Sequence, residues 1–273
     1  MALNLRYEGT TNVPVEVEGI TPDRVAPLSV AEIERLPIFV GNTQVPLADL
    51  FKVSGDPSDA CLDWHGELSG VHWVGAKMTR GQMRIHGSVG RHLGSEMSGG
   101  RIDVQADAGD WVGGELRGGL IHVHGSAGHL IGAAYRGSRR GMLGGTILIN
   151  GNVGNEIGHT MRRGLLVVGG AAGDLIGFNL LAGTILVFGP SGIRHGAGMK
   201  RGTIGLLGSP KPSLLPSFRY GCRWQPVFMT LILRHLRQVG FDVPDDGLPT
   251  AELTVYHGDL IEGGRGEILL RAG

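Results

Sequence analysis

Glycines recur every 19 residues through the middle of the chain, and this spacing constrains the fold more than any other feature. Each of three glycine columns repeats with this period, except for one step of 26 residues in each, which in the first column runs from Gly132 to Gly158. That step implies an insertion of seven residues, which lies within 133–141 because Met142 resumes the pattern. The columns are Gly75, Gly94, Gly113, Gly132, Gly158, Gly177 and Gly196; Gly81, Gly100, Gly119, Gly145, Gly164, Gly183 and Gly202; and Gly90, Gly109, Gly128, Gly154, Gly173 and Gly192.

Between the glycines lie short apolar runs that alternate with a period of two, from Met83-x-Ile85 to Ile204-x-Leu206. Such alternation predicts short strands with one face inward. Two further columns are apolar and are also expected to face inward. They are Val74, Leu93, Val112, Ile131, Ile157, Ile176 and His195; and Met78, Met97, Leu116, Met142, Met161, Leu180 and Met199.

A single 19-residue unit cannot bury its own apolar face, but stacked units pair their backbones and align identical side chains inside. The sequence therefore predicts an all-β chain built around a right-handed parallel β-helix of about seven coils. Glycine suits its corners because sharp turns need positive φ and because neighbouring coils approach closely there. A left-handed hexapeptide helix fits poorly, since the apolar columns do not recur every six residues.

The flanks of the repeat predict small α+β regions that cap the exposed coil ends. Residues 2–8 and 13–18 alternate as strands, Ser29 is placed to cap a helix at 30–35, and 38–45 predicts a hairpin. A helix at 226–239 and strands at 253–256 and 267–270 follow the repeat. We therefore divide the chain into an N-terminal cap (1–60), a repeat domain (61–208) and a C-terminal helix and strand extension (209–273).

Composition excludes several classes of function. The chain has 273 residues, with 25 basic and 25 acidic side chains, so it lacks the net positive charge that attracts nucleic acid or anionic membranes. Its two cysteines, Cys61 and Cys222, form no C-x-x-C motif. The first residues lack the apolar segment of a signal peptide, and no stretch of the sequence approaches the 18 apolar residues that a membrane span needs. We therefore expect a cytoplasmic protein.

The coil pattern resembles the C-terminal domain of the glutamate synthase large subunit and, more closely, the C subunit of formylmethanofuran dehydrogenase. Residues 151–158 (GNVGNEIG) and 196–202 (GAGMKRG) are typical of that C subunit. The late segments 256–259 (YHGD) and 264–269 (GRGEIL) resemble its tail. The resemblance covers the repeat strongly and both flanks moderately.

This family has an archaeal form, in tungsten or molybdenum dehydrogenases, and a bacterial form, in the formyltransferase/hydrolase complex. Of the basic residues 21 are Arg and 4 are Lys, which is unlike hyperthermophile proteins and favours the bacterial form. The resemblance then implies a non-catalytic scaffold in one-carbon metabolism from formaldehyde to formate. Its complex would transfer formyl from formyl-tetrahydromethanopterin to a methanofuran-type carrier and hydrolyse it to formate.

The resemblance also implies the partners, namely a formyltransferase subunit, an amidohydrolase-like subunit that holds the metal, and one further subunit. No cofactor is expected on this chain itself. The alternatives are the C subunit of a tungsten or molybdenum formylmethanofuran dehydrogenase, a stand-alone β-helix enzyme acting on carbohydrates, and a channel component like the glutamate synthase domain. The carbohydrate enzyme would need a continuous acidic column, but Asp110 and Asp174 share theirs with His129 and Asn155.

Basic residues that precede the second glycine of several coils form the strongest candidate site. Stacking should align them in a basic ridge that contacts an acidic partner or a polyglutamate carrier tail. The seven-residue insertion adds three more arginines. The candidate residues are Arg80, Arg117, Arg162, Arg163, Lys200 and Arg201, with Arg136, Arg139 and Arg140 from the insertion.

We predict no catalytic residue and no metal site. His86 and His124 share a column but lie about 9.5 Å apart across two coils, too far to share one zinc ion. His122 and His124 lie on one strand face, yet no carboxylate or thiolate column accompanies them. His195, in an otherwise aliphatic column, is expected to be a hydrogen-bonded histidine near the end of the repeat, and neither cysteine has a paired base.

Overall fold

The computed structural model describes residues 2–243 and 247–272. Met1, residues 244–246 and Gly273, which belong to the predicted flanking regions, lie outside the described residues. The chain is mostly β-structure with few helices. The strands are β1 (Leu3–Tyr7), β2 (Val15–Glu16), β3 (Pro37–Val40), β4 (Thr43–Pro46), β5 (Phe51–Ser54), β6 (Cys61–His65), β7 (Val71–His72), β8 (Gln82–Ile85), β9 (Arg101–Val104), β10 (Leu120–Val123), β11 (Thr146–Ile149), β12 (Leu165–Val168), β13 (Thr184–Val187), β14 (Arg201–Leu206), β15 (Arg219–Trp224), β16 (Leu253–Gly258) and β17 (Arg265–Arg271).

Three α-helices accompany the strands, with short 3-10 turns at Leu47–Asp49, Leu248–Thr250 and Leu260–Glu262. None of the helices in the described part of the chain is long and apolar enough to cross a membrane. The helices are α1 (Pro22–Val25), α2 (Val30–Glu34) and α3 (Val227–Gln238).

A thirteen-stranded sheet, here called the long sheet, runs through the described residues. Each repeat contributes one strand to it, and strands β6 and β8 to β14 pair in parallel in chain order, in a register that follows the repeat. Single-residue bridges stack the coils a second time, as in Leu68 to Val89 and Val89 to Ala108. The repeat therefore forms a stack of coils joined edge to edge.

The inward positions predicted from the alternating runs and from the apolar column of Met97 and Met161 are confirmed at the following residues. Ile102, Ile147 and Ile185 are fully buried, as are Met97 and Met161. All of them belong to one continuous core that extends from β1 to β17. Identical side chains stacked one coil above the next account for this core.

The three glycine columns turn the chain for two different reasons. The first two have positive φ throughout, as at Gly177 (67°) and Gly164 (111°), so they occupy backbone conformations that other residues rarely adopt. The third column does not have positive φ, and there a Cβ would collide with the coil below, as Gly173 would with the Asn155 side chain. Both predicted roles of glycine are thus present, and they coincide at Gly177, where an added Cβ would also lie 2.6 Å from Ile204 Cδ1.

The flanks extend the coil stack at both ends. Strand β1 pairs in parallel with β6, while β17 pairs in parallel with β14 and antiparallel with β16. The predicted hairpin forms as β3 and β4, and Ser29 caps α2 with a capping box to Glu32. The first and last coils of the long sheet are therefore each covered by a strand from a flank.

Helix α3 packs on the outer face of the long sheet. Its Met229, Leu233 and Leu236 join a second apolar cluster with outward-facing side chains of the later coils, such as Leu148 and Val167. The outward side chains of the earlier coils are polar or charged, including Asp103 and His124. The outer face of the long sheet therefore has an apolar half covered by α3 and a polar half.

Candidate functional site: a cationic cleft and an aromatic cluster

Four of the predicted ridge residues lie together around one cleft near the end of the coil stack. The cleft has a volume of about 530 Å³ and is lined by Arg162, Arg163, Lys200 and Arg201, with Leu181 and Ala182 between them. The cations converge because Arg162, Leu181 and Lys200 occupy equivalent positions of three successive coils, and each backbone N–H bonds to the coil below. We call this feature the cationic cleft.

A fifth cation, Arg265, completes the cleft. It comes from β17, where it lies directly beside Arg201 of β14. Sequence reasoning missed it because the 19-residue period ends at Gly208. Only the return of the tail as an added parallel strand places Arg265 where a further coil would place its own arginine.

One carboxylate offsets part of the positive charge of the cleft. Lys200 Nζ lies 3.6 Å from Glu262 Oε2, and both side chains are substantially exposed. The four arginines of the cleft form no ion pair within the described part of the chain. Their charge is therefore available to an anionic group from outside.

The remaining ridge residues lie apart from the cleft. Arg117 is paired with Glu96 at 2.9 Å, and Arg80 is exposed at the opposite end of the coil stack. The insertion holds Arg136, Arg139 and Arg140 on the surface, all exposed. The basic residues therefore do not form one continuous ridge. They are concentrated in the last coils and in the strand that the tail adds.

The insertion is fixed to the coil stack by Tyr135. Its ring stacks on Trp111 with centroids 4.7 Å apart, and its hydroxyl lies 2.9 Å from His92 Nδ1 and 2.6 Å from Ser95 Oγ. His92 in turn stacks on Trp73 at 4.1 Å. These residues, Trp73, His92, Trp111, Tyr135 and Ser95, form what we call the aromatic cluster.

Burial tunes both titratable groups of the aromatic cluster. Desolvation, with a smaller contribution from Arg91, lowers the pKa of His92 to about 4. Desolvation also raises the pKa of Tyr135 to about 12. Both groups are therefore neutral near pH 7 and serve as a hydrogen-bonded anchor for the insertion.

The column of Asp110, His129, Asn155 and Asp174 has a structural role. Asp110 Oδ1 accepts from His129 N (2.7 Å), Asn155 Oδ1 accepts from Asp174 N (2.9 Å), and Asp174 Oδ1 accepts from Ile193 N (2.9 Å). His129 Nδ1 likewise accepts from Asn155 N at 2.9 Å. Each of these side chains accepts a hydrogen bond from a backbone N–H of the next coil. The carboxylates of Asp110 and Asp174, which a carbohydrate-cleaving enzyme would need for catalysis, therefore hold neighbouring coils together.

The histidines of the other columns have distinct surroundings. His195 is buried and its Nε2 donates to Gly192 O at 2.8 Å, while its Nδ1 has no partner among the described residues, so one of the two ring nitrogens is satisfied. His86 stacks on His65 with centroids 4.4 Å apart.

The structure places one carboxylate beside His122 and His124 that the search for an acidic column missed. A carboxylate does accompany them, because Asp103 lies directly across from His122 on the neighbouring strand. One potential ligand atom from each of Asp103, His122 and His124 lies within 4.8 Å of the others. The expectation required a full acidic column, whereas a single cross-strand neighbour is enough to complete the group.

No family model matches the chain. Among curated proteins it is 38% identical to the C subunit of tungsten-containing formylmethanofuran dehydrogenase 2 from Methanothermobacter marburgensis, over 30% of this chain and 32% of that protein. It is 35% identical to the C subunit of the formyltransferase/hydrolase complex Fhc from Methylorubrum extorquens, over 33% of each. The chain thus matches about a third of the length of these curated relatives.

Comparison with solved structures extends the likeness to the whole chain. A chain of the Methylorubrum extorquens formyltransferase/hydrolase complex (FhcABCD), solved in complex with methylofuran, superposes with a TM-score of 0.89 at 32% identity, covering 99% of this chain and 100% of that one. The fold and its glycine-cornered coils therefore define a subunit of the C type. The chain belongs to the family formed by the C subunits of formylmethanofuran dehydrogenase and of the Fhc complex.

Proposed function

We propose that this chain is the non-catalytic scaffold subunit of a formyltransferase/hydrolase complex in one-carbon metabolism. The observation that carries the proposal is the full-length likeness to a chain of the FhcABCD complex. In the proposed complex, formyl passes from formyl-tetrahydromethanopterin to a methanofuran-type carrier and is then hydrolysed to formate. This chemistry occurs in a formyltransferase subunit and a metal-containing amidohydrolase-like subunit, with a further subunit beside them in the cytoplasm.

The proposed role rests on a rigid shape. We infer that the coil stack is a right-handed parallel β-helix of about seven coils, flanked by an N-terminal cap (1–60) and a C-terminal extension (209–273). A stack of coils with a continuous core resists bending, because each coil contacts its neighbours along its whole length. Such a rod can hold enzymes at fixed positions.

The surroundings of the polar groups support a non-catalytic role. Asp110 and Asp174 are bound to backbone N–H groups, and His92 and Tyr135 are bound to each other. General acid–base catalysis needs a group free to reach the substrate. These groups instead stabilise the coils and the insertion.

The cationic cleft is the proposed contact for an anionic group, either an acidic surface of a partner or the polyglutamate tail of the carrier. Its arginines carry charge that no described acidic residue neutralises, and its volume lies in the range of ligand sites, roughly 300–1,000 Å³. Arginine suits carboxylates because its planar guanidinium donates two parallel hydrogen bonds.

A second candidate is the C subunit of a tungsten or molybdenum formylmethanofuran dehydrogenase. The 38% identity to the Methanothermobacter marburgensis protein favours it. The rod would then hold partners of an oxidising complex instead of a hydrolytic one. The two candidates differ in the partners and not in the role of this chain.

Reconstitution tests the scaffold role. The two partners that the proposal names, a formyltransferase subunit and an amidohydrolase-like subunit, are prepared with and without this chain, and formyl transfer, formyl hydrolysis and the coupled reaction are each measured. We expect the partial reactions to persist without this chain and the coupled rate to fall. Turnover of a formyl carrier by this chain alone would contradict the proposal.

A further inference from the structure

Three side chains with metal-binding groups meet on the polar half of the outer face of the long sheet. Strands β9 and β10 are parallel neighbours, and their register places Asp103 directly beside His122. His124 lies two residues further along, and residues i and i+2 of a strand point to the same face. The rings of His122 and His124 stack with centroids 4.1 Å apart.

His122 is oriented by contacts that leave one nitrogen available. Its side chain is 1% exposed, and its Nε2 lies 2.9 Å from Asn150 Oδ1. Asn150 in turn donates its amide group to Asp242 at 3.5 Å, which directs the amide oxygen toward the imidazole. Nε2 therefore carries the proton, and the lone pair is on Nδ1.

That Nδ1 atom is buried and has no hydrogen-bond partner within the described residues. An unpaired buried acceptor costs free energy, about 1–3 kcal/mol, so such an atom calls for an explanation. A bound cation would satisfy this atom.

Asp103 already has one cationic partner. Arg101 Nε and Nη2 donate to its two oxygens at 2.6 and 2.7 Å. Each carboxylate oxygen has a second lone pair, so Asp103 can bind a metal ion while it holds Arg101. Arg101 and the nearby Arg84 repel a cation and lower its affinity without removing a ligand atom.

We propose that Asp103, His122 and His124 form a binding site for a divalent transition metal of the zinc type. Two imidazoles and one carboxylate suit Zn²⁺ and Co²⁺ better than Ca²⁺ or Mg²⁺, which prefer oxygen ligands. In a tetrahedral site the ligand atoms lie about 3.4 Å apart, from zinc–ligand distances near 2.05 Å. The potential ligand atoms of the three residues lie within 4.8 Å of one another, and a bound metal ion would draw them together to this separation.

A second shell around the ligands is already in place. The hydrogen bond from His122 Nε2 to Asn150 fixes the ring in the way that metal-bound histidines are commonly held. Phe241 lies 6.2 Å from the His122 ring and shields one side of it, while His124 reaches the surface. A metal ion can therefore enter from solvent, and its remaining position is open to water.

The test uses the purified full-length chain, stripped of metal and titrated with Co²⁺, whose visible absorption reports on coordination. We expect one equivalent to bind, with absorption bands typical of a low-coordinate site and displacement by Zn²⁺. His124→Gln and Asp103→Asn should each weaken binding about a hundredfold, since even outer-shell partners change metal affinity 10- to 100-fold. His124 lies at the surface, so its replacement leaves the core intact.

His86→Gln is the matched control. It removes a histidine from the same face of the long sheet, at about 9.5 Å from His124, and should leave Co²⁺ affinity unchanged. Absence of saturable Co²⁺ binding to the wild-type chain would overturn the proposal. Equal loss of affinity in the His86 and His124 variants would overturn it as well, because binding would then reside elsewhere on the face.

Discussion

Arg201 of β14 and Arg265 of β17 are direct neighbours on adjacent parallel strands. Two like charges in that position repel each other and destabilise the strand pair, and a bound anion would reduce this repulsion. With Arg162, Arg163 and Lys200 they concentrate positive charge at one end of the coil stack. The cationic cleft therefore depends on a strand from the tail.

Charge reversal in the cationic cleft should weaken the binding of its anionic ligand. We expect the double variant Arg163→Glu with Arg201→Glu to lose about tenfold or more in affinity, which corresponds to about 1.4 kcal/mol, with a steeper loss at low salt. Assembly of the complex and the KM for the carrier report on the two possible ligands. A change in assembly alone indicates a partner surface, and a change in KM alone indicates the carrier tail.

Arg80→Glu is the control for charge. It makes the same change on an exposed arginine at the opposite end of the coil stack and should alter neither quantity. Unchanged assembly and unchanged KM in the double variant would remove the cleft as a binding site.

Tyr135→Phe should loosen the insertion. The hydroxyl contacts His92 Nδ1 and Ser95 Oγ, and Ser95 is fully buried, so its loss leaves a buried polar group without a partner. We expect a loss of about 1–2 kcal/mol in the free energy of unfolding. Urea unfolding measures it, and proteolysis within 136–140 should become faster.

Tyr220→Phe provides the comparison, because Tyr220 is 62% exposed and its change should stay within about 0.5 kcal/mol. Equal effects of the two substitutions would show that Tyr135 does not anchor the insertion.

Stability should fall as the pH is lowered from about 6.5 toward 4. Burial, the main cause, lowers the pKa of His92 to about 4 from an ordinary value of 6.5. Between these values the unfolded chain binds a proton that the folded chain does not, so protonation favours unfolding. The contribution of neutral His92 to the free energy of unfolding is complete above pH 6.5 and is lost as the pH falls toward 4.

Several other histidines shift in the same direction, including His72 and His195, so the wild-type slope is a sum. The free energy of unfolding of a His92→Gln variant should depend less steeply on pH in this window than that of the wild type. The expected difference across the window is on the order of 2 kcal/mol, from 1.36 kcal/mol per pKa unit, reduced because His92 is partly exposed. An identical pH profile in both proteins would contradict the assigned role of His92.

Glycines of the first column should not tolerate a side chain. At Gly177 φ is 67°, and a Cβ would lie 2.6 Å from Ile204 Cδ1. Gly177→Ala therefore combines backbone strain with overpacking and should cost about 2–4 kcal/mol. Thermal or urea unfolding measures the loss.

Gly70→Ala is the matched substitution, since no atom lies within 4 Å of its Cβ and its φ is outside the left-handed region. It should change stability by about 0.5 kcal/mol or less. A comparable loss at both positions would show that the period reflects something other than turn geometry.

The repeat made most of the core predictable from the sequence. A period of 19 fixed which side chains stack, so the inward positions of Ile102 and Met161 followed without a structure. The same period could have revealed Asp103, which lies 19 residues before His122, had each polar residue been compared with its neighbour one coil away.

Other features depend on contacts that no local pattern encodes. Arg265 enters the cleft only because β17 returns as an extra strand beside β14. Leu148 and Val167 point outward, and their burial depends on where α3 docks. Tyr135 reaches His92 from 43 residues away through an insertion whose path is set by ring stacking.

Purification of the complex from its native source through a tag on this chain tests the central claim most directly, with native mass spectrometry to identify the subunits. We predict a stoichiometric assembly that contains a formyltransferase subunit and an amidohydrolase-like subunit. Recovery of this chain as a monomer that itself turns over a formyl carrier would contradict the account.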